Sequence, residues 1–250
     1  PNGIKASAIF GAVNTDARII TLEENIALST IEFDSKFSYS IVNSEKAPNM
    51  AIRLHNAITV APDTPTISIE VPIVTVNTIY IKQHSSAPLI FTKAISGSSS
   101  PLVKEGPGKL SLQGANSHGR TSLLGGELEI TNSDSLGSGT LLVNCKTDPG
   151  ILSTPATVTV HNHINFQTDS TILVHNQGRL TLEGKVEDND TTLTKRGPGT
   201  LIFASTDNIR TGTLVLAEGT LEINALGGLG SGPIKLQGGK LTADIESHSI

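Results

Sequence analysis

Lys104-Glu105-Gly106-Pro107-Gly108-Lys109-Leu110-Ser111-Leu112 and Lys195-Arg196-Gly197-Pro198-Gly199-Thr200-Leu201-Ile202-Phe203 carry one pattern twice, 91 residues apart. In each copy a lysine leads into a Gly-Pro-Gly turn, and apolar residues on alternate positions follow. The same offset pairs Ile73 with Ile164, Ile81 with Ile172, Leu89 with Leu180, Ile95 with Val186 and Leu102 with Leu193. Further on, Gly126-Glu127-Leu128-Glu129-Ile130 matches Gly219-Thr220-Leu221-Glu222-Ile223 at an offset of 93. Leu136-Gly137-Ser138-Gly139 matches Leu229-Gly230-Ser231-Gly232 at the same offset. The two extra residues fall between Phe203 and Gly219, where turns are expected. Apolar register that survives insertions in turns is the behaviour of stacked repeats.

Around these copies the hydropathy alternates with period two. In Thr157-Val158-Thr159-Val160-His161-Asn162-His163-Ile164-Asn165-Phe166 the even positions are apolar apart from Asn162. A half-buried strand produces that alternation, because successive side chains point to opposite faces. Short runs of the same kind, such as Ile79-Tyr80-Ile81 and Leu180-Thr181-Leu182, are separated by Gly, Asn, Asp, Ser and Pro. No apolar stripe of period 3.6 runs beyond a couple of turns. Among sandwich, barrel and solenoid, the internal repeat selects a solenoid: an elongated, all-β parallel β-helix with loop excursions. The 91-residue unit reads as roughly four coils of ~20–25 residues. Roughly eleven coils at ~4.8 Å give a rod some 50 Å long. Asn162, on an inward position, suggests an asparagine ladder along the axis.

Composition narrows the function. The chain has 250 residues, a net charge of -5, 24 Gly, 12 Pro, one Cys, no Trp and 3% aromatics. Nucleic-acid binding calls for a basic surface, which this chain lacks. No run of ~18 apolar residues offers a helical membrane span. One cysteine excludes an intrachain disulfide and a zinc knuckle.

The matched segments also resemble the passenger-associated repeat of bacterial autotransporters. Leu102 to Asn116, Gly119-Arg120-Thr121 and Gly126 to Ile130 follow its Lys-x-Gly-x-Gly-x-Leu-x-Leu-x-Gly-x-Asn, Gly-x-Thr and Gly-x-Leu-x-Ile pattern. The residues that carry it are Lys104, Gly106, Gly108, Leu110, Leu112, Gly126, Leu128 and Ile130. In the second copy they are Lys195, Gly197, Gly199, Leu201, Phe203, Gly219, Leu221 and Ile223. That copy departs at Ser205 and Asp207, where the pattern has Gly and Asn, so its turn is expected to be built differently. The stretch from Ala8 to Ile41 is similar to strands that precede the first such repeat. The resemblance implies a right-handed parallel β-helix exported by type V secretion, outside a Gram-negative cell. It implies one β-helical segment over 1–250, with N-terminal coils 1–101 and repeat blocks 102–192 and 193–250. Pro1 and Ile250 fall within the pattern, as in a piece cut from a longer chain. The implied role is a non-enzymatic rigid scaffold and adhesin that meets a host-cell surface protein or glycan. Its own outer-membrane barrel would lie C-terminal to the segment. A carbohydrate-active or tailspike-like β-helix, and a secreted effector engaging a host receptor, remain as alternatives. Residues 50–72, whose Pro and charge content departs from the repeat, are a candidate projecting loop.

Isolated chemistry is weak. His161 and His163, with His175 one coil away, share a face if the strand continues, but no further ligand flanks them. Glu127 and Glu129 imitate a glycosidase pair, yet read as exposed. Glu187-Asp188-Asn189-Asp190 lacks calcium-loop spacing and reads as a solvated loop. Gly227 to Gly232 lacks the Lys and helix of a phosphate cradle. Cys145 reads as an inert small side chain. No catalytic, cofactor or metal residue is assigned.

Overall fold

The computed structural model describes residues 3, 5–11, 16–97, 99–225 and 227–243, so Pro1 and Ile250 lie outside the described residues. All named strands pair in parallel, and the described residues contain no helix. The chain is a β-solenoid whose coils have three faces. The 11-stranded sheet forms one face, from Arg18–Leu22 to Ile234–Leu236. The 12-stranded sheet forms the next, together with part of the third in the early coils. Ile52–Val60 links the two by turning a corner, pairing with Ile73–Thr75 at one end and Ile79–Gln83 at the other. From Thr157 onward the third face is a separate five-stranded sheet, ending at Lys240–Ala243.

Parallel strands cannot hydrogen-bond within their own coil, so each backbone is satisfied by the coils before and after it. Side chains therefore stack on their counterparts. On the 11-stranded sheet Tyr39, Ile67, Leu89, Leu110, Leu128, Leu152 and Ile172 form one inward column. Each of them is 2% exposed or less. Val158, Leu180, Leu201 and Leu221 form another on the five-stranded sheet. The narrow interior takes aliphatic groups, with aromatics gathered near the N-terminal end. There Phe10 stacks on Phe33 at 5.0 Å between ring centroids, and Tyr39 leans against both.

The two copies of the pattern do not lie above one another. Successive partners Leu102, Thr121, Leu141, Ile164 and Val186 are 19, 20, 23 and 22 residues apart. Four coils thus bring the chain to Val186, and seven more residues carry it to Leu193 on the next face. Lys109–Leu112 belongs to the 11-stranded sheet, and its counterpart Thr200–Phe203 to the five-stranded one. The expected four-coil block is four coils and one face, so the second copy is turned by one face about the axis.

Two local expectations fail. The segment 50–72 is no projecting loop: it contains Ile52–Val60 and Ile67–Ile69, and Ile52, Leu54, Ile58, Val60, Ile67, Ile69 and Val71 are buried. Its prolines sit at corners and its charges face out. Asn162 builds no ladder, because the strand Thr157–Val160 ends before it. Its Nδ2 instead donates to the carbonyls of Gly137 and Gly139 at 2.9 and 2.6 Å, pinning a corner of the coil below.

The column sets a direct expectation. Leu128→Ala should cost about 3 kcal/mol, since its neighbours are fixed by hydrogen bonds and cannot collapse into the void. Thr157→Ala, on an exposed outward position, should change stability by less than about 0.5 kcal/mol. Urea unfolding followed by circular dichroism would compare the two, and equal effects would contradict the column.

Candidate functional site

The repeated pattern encloses a buried cation. Lys104 and Lys195 are both 0% exposed and occupy inward positions, Lys104 between Ile81 and Leu123, Lys195 between Ile172 and Leu216. Lys104 Nζ donates to the carbonyls of Glu105, Gly106 and Gly125 at 3.2, 2.8 and 2.9 Å. Lys195 Nζ donates to those of Arg196, Gly197 and Glu218 at 2.9, 2.7 and 3.2 Å. Each ammonium thus spends its three donors on the Gly-Pro-Gly corner of its own coil and on the next coil. Burial pushes both pKa values down to about 8. The glycines answer two needs. Gly106 and Gly197 have φ of 82° and 75°, which side chains disfavour. At Gly108 and Gly199 a Cβ would lie 2.0 Å from Ser85 O and 2.3 Å from His175 O.

A second bracket follows each corner. Asn116 Oδ1 accepts from Ile95 N at 2.7 Å, and its Nδ2 donates to Ser135 O at 2.6 Å. In the second copy the departure at Ser205 and Asp207 is repaired by a one-residue shift, and Asn208 takes the place of Asn116. Its Oδ1 accepts from Val186 N and its Nδ2 donates to Gly228 O, both at 2.6 Å. Two residues later stand His118 and Arg210, both buried. Burial lowers the His118 pKa to about 4, so the ring is neutral. The Thr121 hydroxyl donates to Leu136 O, so His118 Nε2, 2.7 Å from it, carries the proton. Arg210 keeps its charge and requires a counterion. Its Nε lies 3.1 Å from Asp188 Oδ2, close as an ion pair but not aligned as a hydrogen bond. Asp188 Oδ1 accepts from Thr211 N and Gly212 N.

The remaining candidates are redistributed. Glu187-Asp188-Asn189-Asp190 is no solvated loop: Val186–Asp188 is a strand, Asp188 is turned to Arg210, and Glu187 meets Lys185 and His163. His161 and His163 do not share a site. His161 Nδ1 lies 3.0 Å from Glu183, and His163 Nε2 lies 3.2 Å from Glu187 on the next strand. Burial raises the Cys145 thiol to about 11, which suppresses the thiolate. Gly227 to Gly232 forms a corner packed against Arg210 and Gly212. Glu127 and Glu129 are half-buried, at 18% and 16% side-chain exposure, and Lys109 Nζ bridges them at 2.9 and 2.8 Å. Partial burial opposes the Lys109 charge, but the two carboxylates outweigh it and raise its pKa. Ser153 Oγ donates to Glu127 and Ser111 Oγ to Glu129. His175 comes to this pair, the donor atoms of all three lying within 4.8 Å of one another. The sequence held both halves of that cluster, but nothing in linear spacing joins them, because it forms across three successive strands.

A β-solenoid with a duplicated lysine-and-glycine corner is a repeat-bearing structural rod. The passenger-associated-transport-repeat family model matches residues 102–130 and 193–223, the two copies described above. The chain is 32% identical over 133 residues to the Adhesin BmaC autotransporter of Brucella suis biovar 1 (strain 1330). That match covers 52% of this chain and 4% of the relative, so the chain spans a small fraction of the relative's length. No solved structure matches the chain. It is autotransporter passenger sequence with two transport repeats, which places it outside the cell of a Gram-negative bacterium.

Lys104→Met should cost about 1–3 kcal/mol by leaving corner carbonyls without a donor. The pH dependence has a defined sign. The unfolded lysine titrates near 10.5 and the folded one near 8, so between these values the unfolded chain holds more protons and stability rises with pH. A Lys104→Met/Lys195→Met variant should lose that rise when unfolding midpoints are compared between pH 8 and 10.5. Parallel pH profiles would contradict the assignment.

Proposed function

We propose that this chain is a non-enzymatic, rigid β-solenoid scaffold in an autotransporter passenger, whose outward surface serves adhesion to a host-cell surface protein or glycan. The observation that carries the reading is that the duplicated motif faces inward. Lys104, Lys195, Leu110, Leu112, Leu128, Ile130, Leu201, Phe203 and Leu221 are buried. Together with Gly106, Gly108, Gly126, Gly197, Gly199, Gly219 and Ile223, they serve architecture and leave the outward side chains free to vary. The rod acts as one segment with N-terminal coils 1–101 and blocks 102–192 and 193–250. A membrane barrel elsewhere in the same protein anchors it or exports it. The name of the relative, an adhesin, supports the adhesive role. Against sugar cleavage stands the Lys109 bridge between Glu127 and Glu129, which gives neither carboxyl the apolar surroundings that keep a general acid protonated.

Coil-by-coil stacking also suits export. A chain that crosses a pore unfolded can add each coil to the last, because each coil contacts only its neighbours.

Beads coated with the purified chain should bind cultured host cells more than beads coated with a Leu128→Asp variant that does not fold. Failure of the folded chain to bind would remove the adhesive role. Release of reducing sugar from host glycans by the same preparation would overturn the non-enzymatic one.

A further inference from the structure

We infer that Glu127, Glu129 and His175 form a binding site for a divalent transition-metal ion of the zinc class. Two carboxylates and one imidazole converge there from Glu127–Ile130 and from the residue after Ser170–Val174, strands held in place through the intervening Gly150–Thr154. Their donor atoms lie within 4.8 Å of one another, whereas tetrahedral ligands ~2.1 Å from one ion would lie about 3.4 Å apart. Rotation of the two glutamates about their terminal bonds closes that difference.

Two independent observations point to a cation at this place. His175 Nε2 is shut off from solvent and has no hydrogen-bond partner among the described residues, although it lies beside two carboxylates. Between those carboxylates sits the Lys109 ammonium, a positive charge already drawn to the position an ion would take. Lys109 is on the open side of the cluster, with 28% of its side chain exposed, so it can swing into water when an ion replaces it. Ser153 and Ser111 would keep the glutamates oriented through the hydrogen bonds they already make. One nitrogen and two oxygen ligands select zinc-like ions over calcium or magnesium, which prefer oxygen alone. A water would complete the tetrahedron. The ion would staple strands of three successive coils on the outer surface of the 11-stranded sheet.

Zinc chloride titrated into the whole chain by calorimetry should show one saturable site, and added zinc should raise the melting temperature relative to a chelator. His175→Ala and Glu127→Gln should each abolish the site while leaving the circular-dichroism spectrum unchanged. Lys109→Ala removes the competing charge and should tighten binding about tenfold. His161→Ala should have no effect. Zinc binding that survives His175→Ala, that is not strengthened by Lys109→Ala, or that is missing from both wild type and Lys109→Ala would each overturn the assignment.

Discussion

A coil of this chain has no partner inside itself for its strand hydrogen bonds. They run along the axis, from Leu102 to Thr121 to Leu141 and onward, so each coil is complete only when another lies against it. The inward side chains inherit the same dependence, because the surface they bury belongs to the neighbouring coil. Stability is therefore a sum of contacts between neighbours, and a corner can lengthen, as between Leu141 and Ile164, without disturbing the columns on either side. What the corner must do is return the backbone to register. The lysine, glycine and asparagine positions of the motif all serve that task.

Polar groups inside such a rod are costly unless every donor and acceptor is used. Three solutions occur. Lys104 and Lys195 distribute three donors over three carbonyls. Asn116 and Asn208 each present both ends of an amide to adjoining coils. At the third position the copies diverge: His118 meets burial by remaining neutral, whereas Arg210 remains charged and is matched by Asp188 one coil earlier. Replacing an imidazole by a guanidinium thus required a second change at a distance of 22 residues, in a strand whose first-copy counterpart carries no such acid.

The strands and their parallel stacking were legible in the sequence, because alternation and self-similarity report directly on a repeating burial environment. The motif residues could be picked out for the same reason. What linear spacing concealed was the length of a coil. An offset of 91 residues is compatible with four coils only if each is longer than the 19 to 23 residues observed, and hence the turn of the second copy by one face went unseen. The asparagine bracket was missed at Asn208 because one inserted residue broke the alignment at Asp207. The approach of His175 to Glu127 and Glu129, and of Arg210 to Asp188, depends on which residues coil length places side by side. Residues 50–72 misled in the opposite way: unusual composition there reflects corners and outward charges on an otherwise ordinary coil.

The displacement of the second copy by one face bears on how such a rod meets its surroundings. Side chains that flank Gly106 and their equivalents beside Gly197 look out in different directions. A flat partner approaching from one side engages one copy and not the other. Duplication of the motif in this chain extends the rod's reach without making it bivalent, and any avidity has to come from the crowding of many molecules on the cell envelope.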